Sequence, residues 1–274
     1  MNLTQEKLRE LIEKGAFELY GQPKWTFGKN TCNTYEVFAE VLHLPDGEVV
    51  PGYGYVRDAA ADRKTIMLFC DWFMKNTLSM VRRLIDETGC DLVVAINVST
   101  HSINRPDFVE MVKEQLNRNM LEPRNLELEL TEVEKLTAKG VENLVALKEL
   151  GAKLLYDDFG IGSNNLYLLN RLPFDGIKLA RCFSGGIPGD DKLIRILVSI
   201  AHLTDTLNLT VCAKGIENGD QFEFFEHLGF WKGQGYMIGR PMAEKKLKAF
   251  ILQFAHKDAD ARTVRKAVPS MTLI

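Results

Sequence analysis

The sequence predicts an α/β fold, either a (β/α)8 barrel or an open α/β sheet. Two observations predict it. Eight strand-like segments alternate with helical patterns over 274 residues. Polar residues with chemical potential also collect at the C-terminal ends of those strand segments, which is where α/β barrels build their sites.

The strand candidates follow in chain order. FELYGQP starts at Phe17, TYEVFAEVL at Thr34, DLVVAINVS at Asp91 and NLELELTE at Asn125. KLLYDDFG, GIKLA, LTVCAKGIE and WKGQGY come after them. In the fourth segment Leu126, Leu128 and Leu130 share one face, while Glu127, Glu129 and Thr131 share the other. The leucines are expected to pack on outer helices and the polar set to face the barrel mouth. Between the strands lie FVEMVKEQLNRN, VENLVALKELG, NNLYLLNRL, KLIRILVSIAHL, QFEFFEHLG and KLKAFILQFA, with apolar residues at three- and four-residue spacing. Gly151 and Gly229 stand where C-terminal caps belong. MLFCDWFMKNTLSMV reads as a further apolar helix, and Trp25, Trp72 and Trp231 as packing residues.

Composition narrows the function. A net charge of -3 gives no general attraction to nucleic acid or to an anionic membrane. The chain has no run of 18 apolar residues, so no spanning helix is expected. The start, MNLTQEKLRELIEKG, is charged and amphipathic, unlike a signal peptide. Five scattered cysteines without a C-x-x-C point to free thiols in a reducing cytoplasm. With no Ser/Pro/Gly-rich linker and no repeat, residues 1–254 are expected to form one barrel domain, and 255–274 a tail that frays.

The strand-end residues are Asn97, Glu129, Glu132, Asp157, Asp158, Lys178, Lys214, Glu217 and Gln234. Asn, Glu and Asp oxygens in one cluster suit a hard cation such as Mg²⁺ or Mn²⁺. The same carboxylates could equally be salt-bridged or solvated. A nearby lysine could hold a water or contact a phosphate.

These residues carry a resemblance. Over about Leu8 to Met242 the chain resembles the EAL domain of bacterial cyclic di-GMP signalling. FELYGQP, Asn97-Val98-Ser99, Glu129-Leu130-Thr131-Glu132, DDFGIG, Ile177-Lys178-Leu179-Ala180, Ala213-Lys214-Gly215-Ile216-Glu217 and QGYMIGRP match the family's motifs in order. The resemblance implies a TIM-like barrel whose first strand is antiparallel to the rest, and hydrolysis of cyclic di-GMP to pGpG. It implies that Glu36, Asn97, Glu129 and Asp157 bind one divalent cation, Mg²⁺ or Mn²⁺, and that Asp158 contacts a second. Lys178 would help position the attacking water, Glu217 would serve the same centre, and Gln22 and Gln234 would meet the ligand. The signature glutamate is Glu36 if the spacing from Gln22 is ungapped. Glu40, in Glu40-Val41-Leu42, is the alternative, and both read as lying on one strand face.

Four positions depart from the family's pattern. Its phosphate-binding arginine is Glu40 here, its L-K-I-D aspartate is Ala180, its A-E-G-V-E glutamate is Lys214 and its P-G-E-F glutamate is Tyr53. A lysine about 6 Å from a divalent ion would cost roughly 5 kcal/mol at an effective dielectric near 20. Two readings follow. One is a catalytically weak or inactive EAL-like protein that binds an unidentified protein partner or, weakly, cyclic di-GMP. The other is a working phosphodiesterase with a rearranged site. Lys214 is expected to bring positive charge to Glu40 or to the acidic cluster. The loop GIGSNNLY, with Ser163-Asn164-Asn165 in place of the family's Tyr-Ser-Ser, implies a weak homodimer.

Overall fold

A computed structural model describes residues 3–59, 61–161 and 166–255. The loop positions Ser163, Asn164 and Asn165, on which the dimer expectation rests, lie outside the described residues, as does the tail from 256 onward.

The chain opens with α1 (Gln5–Glu13), capped by Thr4, whose side chain accepts from the Lys7 N–H. Next come β1 (Phe17–Thr26), β2 (Thr31–His43), the short β3 (Val49–Pro51), α2 (Gly52–Ala59) and α3 (Arg63–Thr88). β4 (Val93–Asn97), α4 (Thr100–Ile103), α5 (Phe108–Arg118), β5 (Leu126–Leu130), α6 (Ala138–Leu150) and β6 (Lys153–Phe159) follow. The rest is α7 (Leu166–Arg171), β7 (Gly176–Leu179), α8 (Asp191–Thr206), β8 (Thr210–Lys214), α9 (Gly219–His227), β9 (Lys232–Gln234), β10 (Met242–Ala243) and α10 (Glu244–Phe254).

Eight of these strands close into a ring in the order β1-β9-β8-β7-β6-β5-β4-β2, and β1 pairs with β2 to seal it. β1 is antiparallel to both its ring neighbours, whereas every other ring pairing is parallel. The fold is therefore a TIM-like α/β barrel with a reversed first strand, and the open-sheet alternative falls away. β3 and β10 add short antiparallel pairings to β2 and β1 outside the ring.

The β5 alternation behaves as the pattern predicts. Leu126, Leu128 and Leu130 are fully buried in the core, and Glu127 and Glu129 point into the barrel with almost no exposure. α6 ends at Gly151, whose φ of 109° is open to glycine without strain. α9 ends at His227 and is capped by Leu228, one residue before Gly229. The apolar helix read from MLFCDWFMKNTLSMV is the middle of the longer α3, which starts at an Asp62 cap and stops at Gly89. Its Phe69, Phe73, Met74 and Leu78 are buried, and Trp25 is fully so. Among the described residues no helix is long and apolar enough to cross a membrane.

Candidate functional site

The parallel strands all deliver their C-terminal ends to one mouth. A cavity of about 950 Å³ opens there. One wall is polar, with Glu36, Asn97, Glu129, Asp157, Lys178 and Lys214; the other is apolar, with Ile66, Phe69, Phe73, Met74 and Phe108.

Glu36 sits on β2 opposite Gln22 of β1. It accepts from Asn97 Nδ2 at 2.6 Å on Oε1, and from Lys178 Nζ at 2.6 Å and Gln234 Nε2 at 2.8 Å on Oε2. Gln234 also donates to Gln22 at 3.0 Å, and Gln22 in turn donates to the Gly239 carbonyl. Glu129 accepts from Lys24 and Lys178. Asp157 accepts from Lys214 Nζ at 2.7 Å on one oxygen and lies 3.9 Å from Lys178 Nζ on the other. Asp158 also accepts from Lys214.

Below this layer, Lys24 donates to Glu127 at 2.7 Å, and Lys232 donates to the other Glu127 oxygen at 2.9 Å. Sequence reasoning missed Lys24 and Lys232. The only signal was the inward face of β5, which already placed Glu127 beside Glu129.

Burial and pairing together set the protonation states. Burial opposes ionisation of Glu127, but attraction to Lys24 and Lys232 outweighs it and brings its pKa down to about 2. Burial likewise opposes ionisation of Glu36, and Lys178 and Lys24 reverse the balance, so it too is lowered. Glu129 goes the other way. Burial, then repulsion from Glu36, push it up to about 7 against the pull of Lys178 and Lys24. Burial would lower Lys178 and Lys214, yet attraction led by Asp157 raises both, and both stay charged.

The backbone explains how the outer pair is aimed. β6 and β7 slip register between Tyr156 and Phe159, and Asp158 takes a left-handed φ of 51°. Such a bulge re-aims side chains at a strand end, and here both carboxylates reach one ammonium. At the end of β8, Gly215 turns with φ of 78°, and a Cβ there would strike the Arg181 side chain. Ser184 Oγ donates to the Lys214 carbonyl and fixes that turn.

The expected residues divide between the buried cluster and the rim. Glu36 and Glu40 both line the cavity, but a bulge sets them apart. β2 pairs Ala39 with Leu19 and Val41 with Glu18, so Glu40 is the extra residue of a bulge and is exposed at the cavity rim. Glu36, not Glu40, joins the buried cluster. Lys214 goes to the acidic cluster at Asp157 and Asp158. Glu132 leaves the mouth to pair with Lys135 at 2.7 Å, because its left-handed φ of 46° starts a new turn. Glu217 is exposed and accepts from Arg181 at the rim rather than joining the buried carboxylates. Ala180 is buried and caps the turn that carries Arg181.

The residues expected to hold Mg²⁺ or Mn²⁺ share one mouth but do not fit two divalent cations. Both oxygens of Glu36 and of Glu129 already accept from amide or ammonium groups, and Asp157 lies between two lysines. Among the described residues no three His, Cys, Asp or Glu side chains are arranged to hold a metal ion.

Comparison with known proteins agrees with this architecture. The EAL domain model matches residues 5–241. The signaling protein YkoW of Bacillus subtilis is 30% identical over 258 residues, covering 92% of this chain and 32% of that protein. The bifunctional diguanylate cyclase/cyclic di-GMP phosphodiesterase MucR of Pseudomonas aeruginosa is 30% identical over 247 residues, covering 89% of this chain and 36% of that protein. The chain thus spans about a third of the length of these curated relatives. Among solved structures, the PaMucR phosphodiesterase in complex with c-di-GMP is 28% identical with a TM-score of 0.79, covering 88% of this chain and 98% of that one. The EAL enzyme Bd1971 bound to cAMP and cyclic di-GMP superimposes with a TM-score of 0.83 at 24% identity, covering 90% of this chain and 68% of that one, which bears on fold alone. Barrel, reversed first strand and family match converge: the chain belongs to the EAL domain family.

Proposed function

We propose that this chain is an EAL domain of the cyclic di-GMP system that works by binding rather than by hydrolysis. The observation that carries this reading is the Lys214 ammonium seated between Asp157 and Asp158, where the family resemblance places carboxylates shared by metal ions. Hydrolysis of a phosphodiester by two metals needs those carboxylates free to hold cations that activate water and stabilise charge. Here they are neutralised from within the chain. Glu40 at the rim adds an anion where the family has an arginine, which disfavours the ligand's phosphate. Cyclic di-GMP would therefore bind weakly, and an unidentified protein partner is the other candidate for what this domain recognises. A cytoplasmic setting agrees with the unpaired state of all five cysteines.

A second reading, an active phosphodiesterase, draws on a specific observation as well. Glu36, Asn97, Glu129, Asp157 and Lys178 line one cavity, with the two glutamines beside them. In that reading these carboxylates and Asn97 would hold Mg²⁺ or Mn²⁺ only after Lys178 as well as Lys214 released them.

Calorimetric titration with cyclic di-GMP, alongside chromatography of the nucleotide after incubation with Mg²⁺ or Mn²⁺, decides between them. The binding reading expects a heat of association and no pGpG. Sustained formation of pGpG by the unmodified chain would overturn it.

A further inference from the structure

We infer that Lys214 is a resident counter-ion of the mouth: its ammonium takes the place of a divalent cation between Asp157 and Asp158, so that the charge of the site, and ligand binding there, do not depend on metal. This deepens the binding reading above and rests on it for the ligand arm only.

Three geometric observations support it. First, the ammonium reaches both aspartates, at 2.7 Å to Asp157 and closer to Asp158. One group thereby bridges two carboxylates from successive positions of β6. The bulge that turns Asp158 to a φ of 51° makes this convergence possible. Second, the lysine is held in place. Its carbonyl is bonded by Ser184, the following Gly215 turns the chain away, and the Arg181 side chain packs where a larger residue at 215 would project. Third, the next cation inward is also a lysine. Lys178 lies on Glu36 and Glu129 and 3.9 Å from Asp157. Across the whole cluster five carboxylates (Glu36, Glu127, Glu129, Asp157, Asp158) face four ammonium groups (Lys24, Lys178, Lys214, Lys232). A divalent ion added beside Lys214 would meet a cation at contact distance with both bridging carboxylates already engaged.

The chemistry of an ammonium adds a consequence. Lysine has three N–H donors, and Asp157 and Asp158 use two of them. One remains for an acceptor in the cavity, which Lys214 lines with about a fifth of its side chain exposed. A metal would present water or an open coordination position at that point; this site presents a hydrogen-bond donor of fixed charge.

The test is a titration of the whole chain with Mn²⁺ alone, followed by calorimetry, on the unmodified protein and on Lys214→Glu and Lys214→Met. Lys214→Glu is expected to bind one more Mn²⁺ than the unmodified chain, at least about tenfold tighter. Lys214→Met, which removes the cation and leaves both aspartates, is expected to gain Mn²⁺ binding and to be raised in thermal midpoint by Mn²⁺. Equal Mn²⁺ stoichiometry and affinity for all three proteins would overturn the inference. If a variant does not fold, the unmodified chain still decides. Its affinity for cyclic di-GMP should agree within about twofold between Mg²⁺ and EDTA buffers, and a tenfold loss in EDTA would overturn the inference. Absence of cyclic di-GMP binding in both buffers would instead sink the ligand reading, and the Mn²⁺ titration would then stand as the decisive measurement for Lys214.

Discussion

The barrel holds two lysine–carboxylate layers of similar chemistry and opposite situation. In the inner layer, Lys24 and Lys232 grip Glu127, and all three side chains are at most 3% exposed. In the outer layer, Lys214 grips Asp157 and Asp158 with 19% of the lysine and 44% of Asp158 exposed. The inner layer is sealed and can only hold the barrel together. The outer layer meets the cavity and can exchange partners with a ligand. Depth, not residue type, separates the sealed ion pair from the accessible one here.

Breaking the inner layer should have the largest effect. Lys24→Met leaves Glu127 with Lys232 alone and Glu129 with Lys178 alone. Removing one partner of a buried pair costs about 3–5 kcal/mol. For a chain of this size that is a drop of roughly 6–20 °C in thermal midpoint, readable by circular dichroism. A loss of under two degrees would show that water reaches the inner layer after all.

The middle rung sharpens the comparison through pH. Glu129 has its folded pKa raised from 4.5 to about 7. The stability tied to its protonated form is fully present below pH 4.5 and is lost as pH rises through 7. Glu127, lowered to about 2, has the opposite sense: its contribution is present above pH 4.5 and lost as pH falls toward 2. Glu129→Gln should therefore lose the fall in stability that the unmodified chain shows between pH 5 and pH 8, so the difference between the two proteins moves in favour of the variant as pH rises. Urea unfolding at several pH values measures this, and parallel curves for the two proteins would refute it.

In the outer layer Lys214→Met should cost less, about 1–2 kcal/mol, because Asp158 keeps contact with water. A cost equal to that of Lys24→Met would erase the distinction between the layers. Smallest is the rim. The Arg181–Glu217 pair is exposed on both sides, so Arg181→Ala should shift stability by less than about 0.5 kcal/mol.

Much of this was legible before any coordinates. The leucine–glutamate alternation of β5 told which face looks inward, and the order of strand-end motifs told that they would meet at one mouth. The substitutions Glu40 and Lys214 stood out against the family pattern as a paired change of charge. What was not legible has physical reasons. Lys24 lies on the strand that runs backwards, so position along β1 maps to depth in the reverse sense from the other strands. The bulge at Glu40 leaves no mark on a period-two pattern, which is why the two glutamates looked equivalent. The left-handed Glu132 and Asp158 are non-glycine residues, and nothing in their identity announces the turn. β3 and β10 span three and two residues and are too short for any period.

The reversed first strand also governs how the molecule must assemble. β1 bonds to β2, its neighbour in the chain, and to β9, near the far end, with Gln234 and Gln22 joined across 212 positions of sequence. The ring stays open until the last strand arrives. Until then Lys24 remains wet, and the inner ion pairs have no low-dielectric interior to form in. Closure thus orders a very long loop, and contacts of that separation slow folding. The buried lysines act as a lock that engages only when the two ends of the barrel have met.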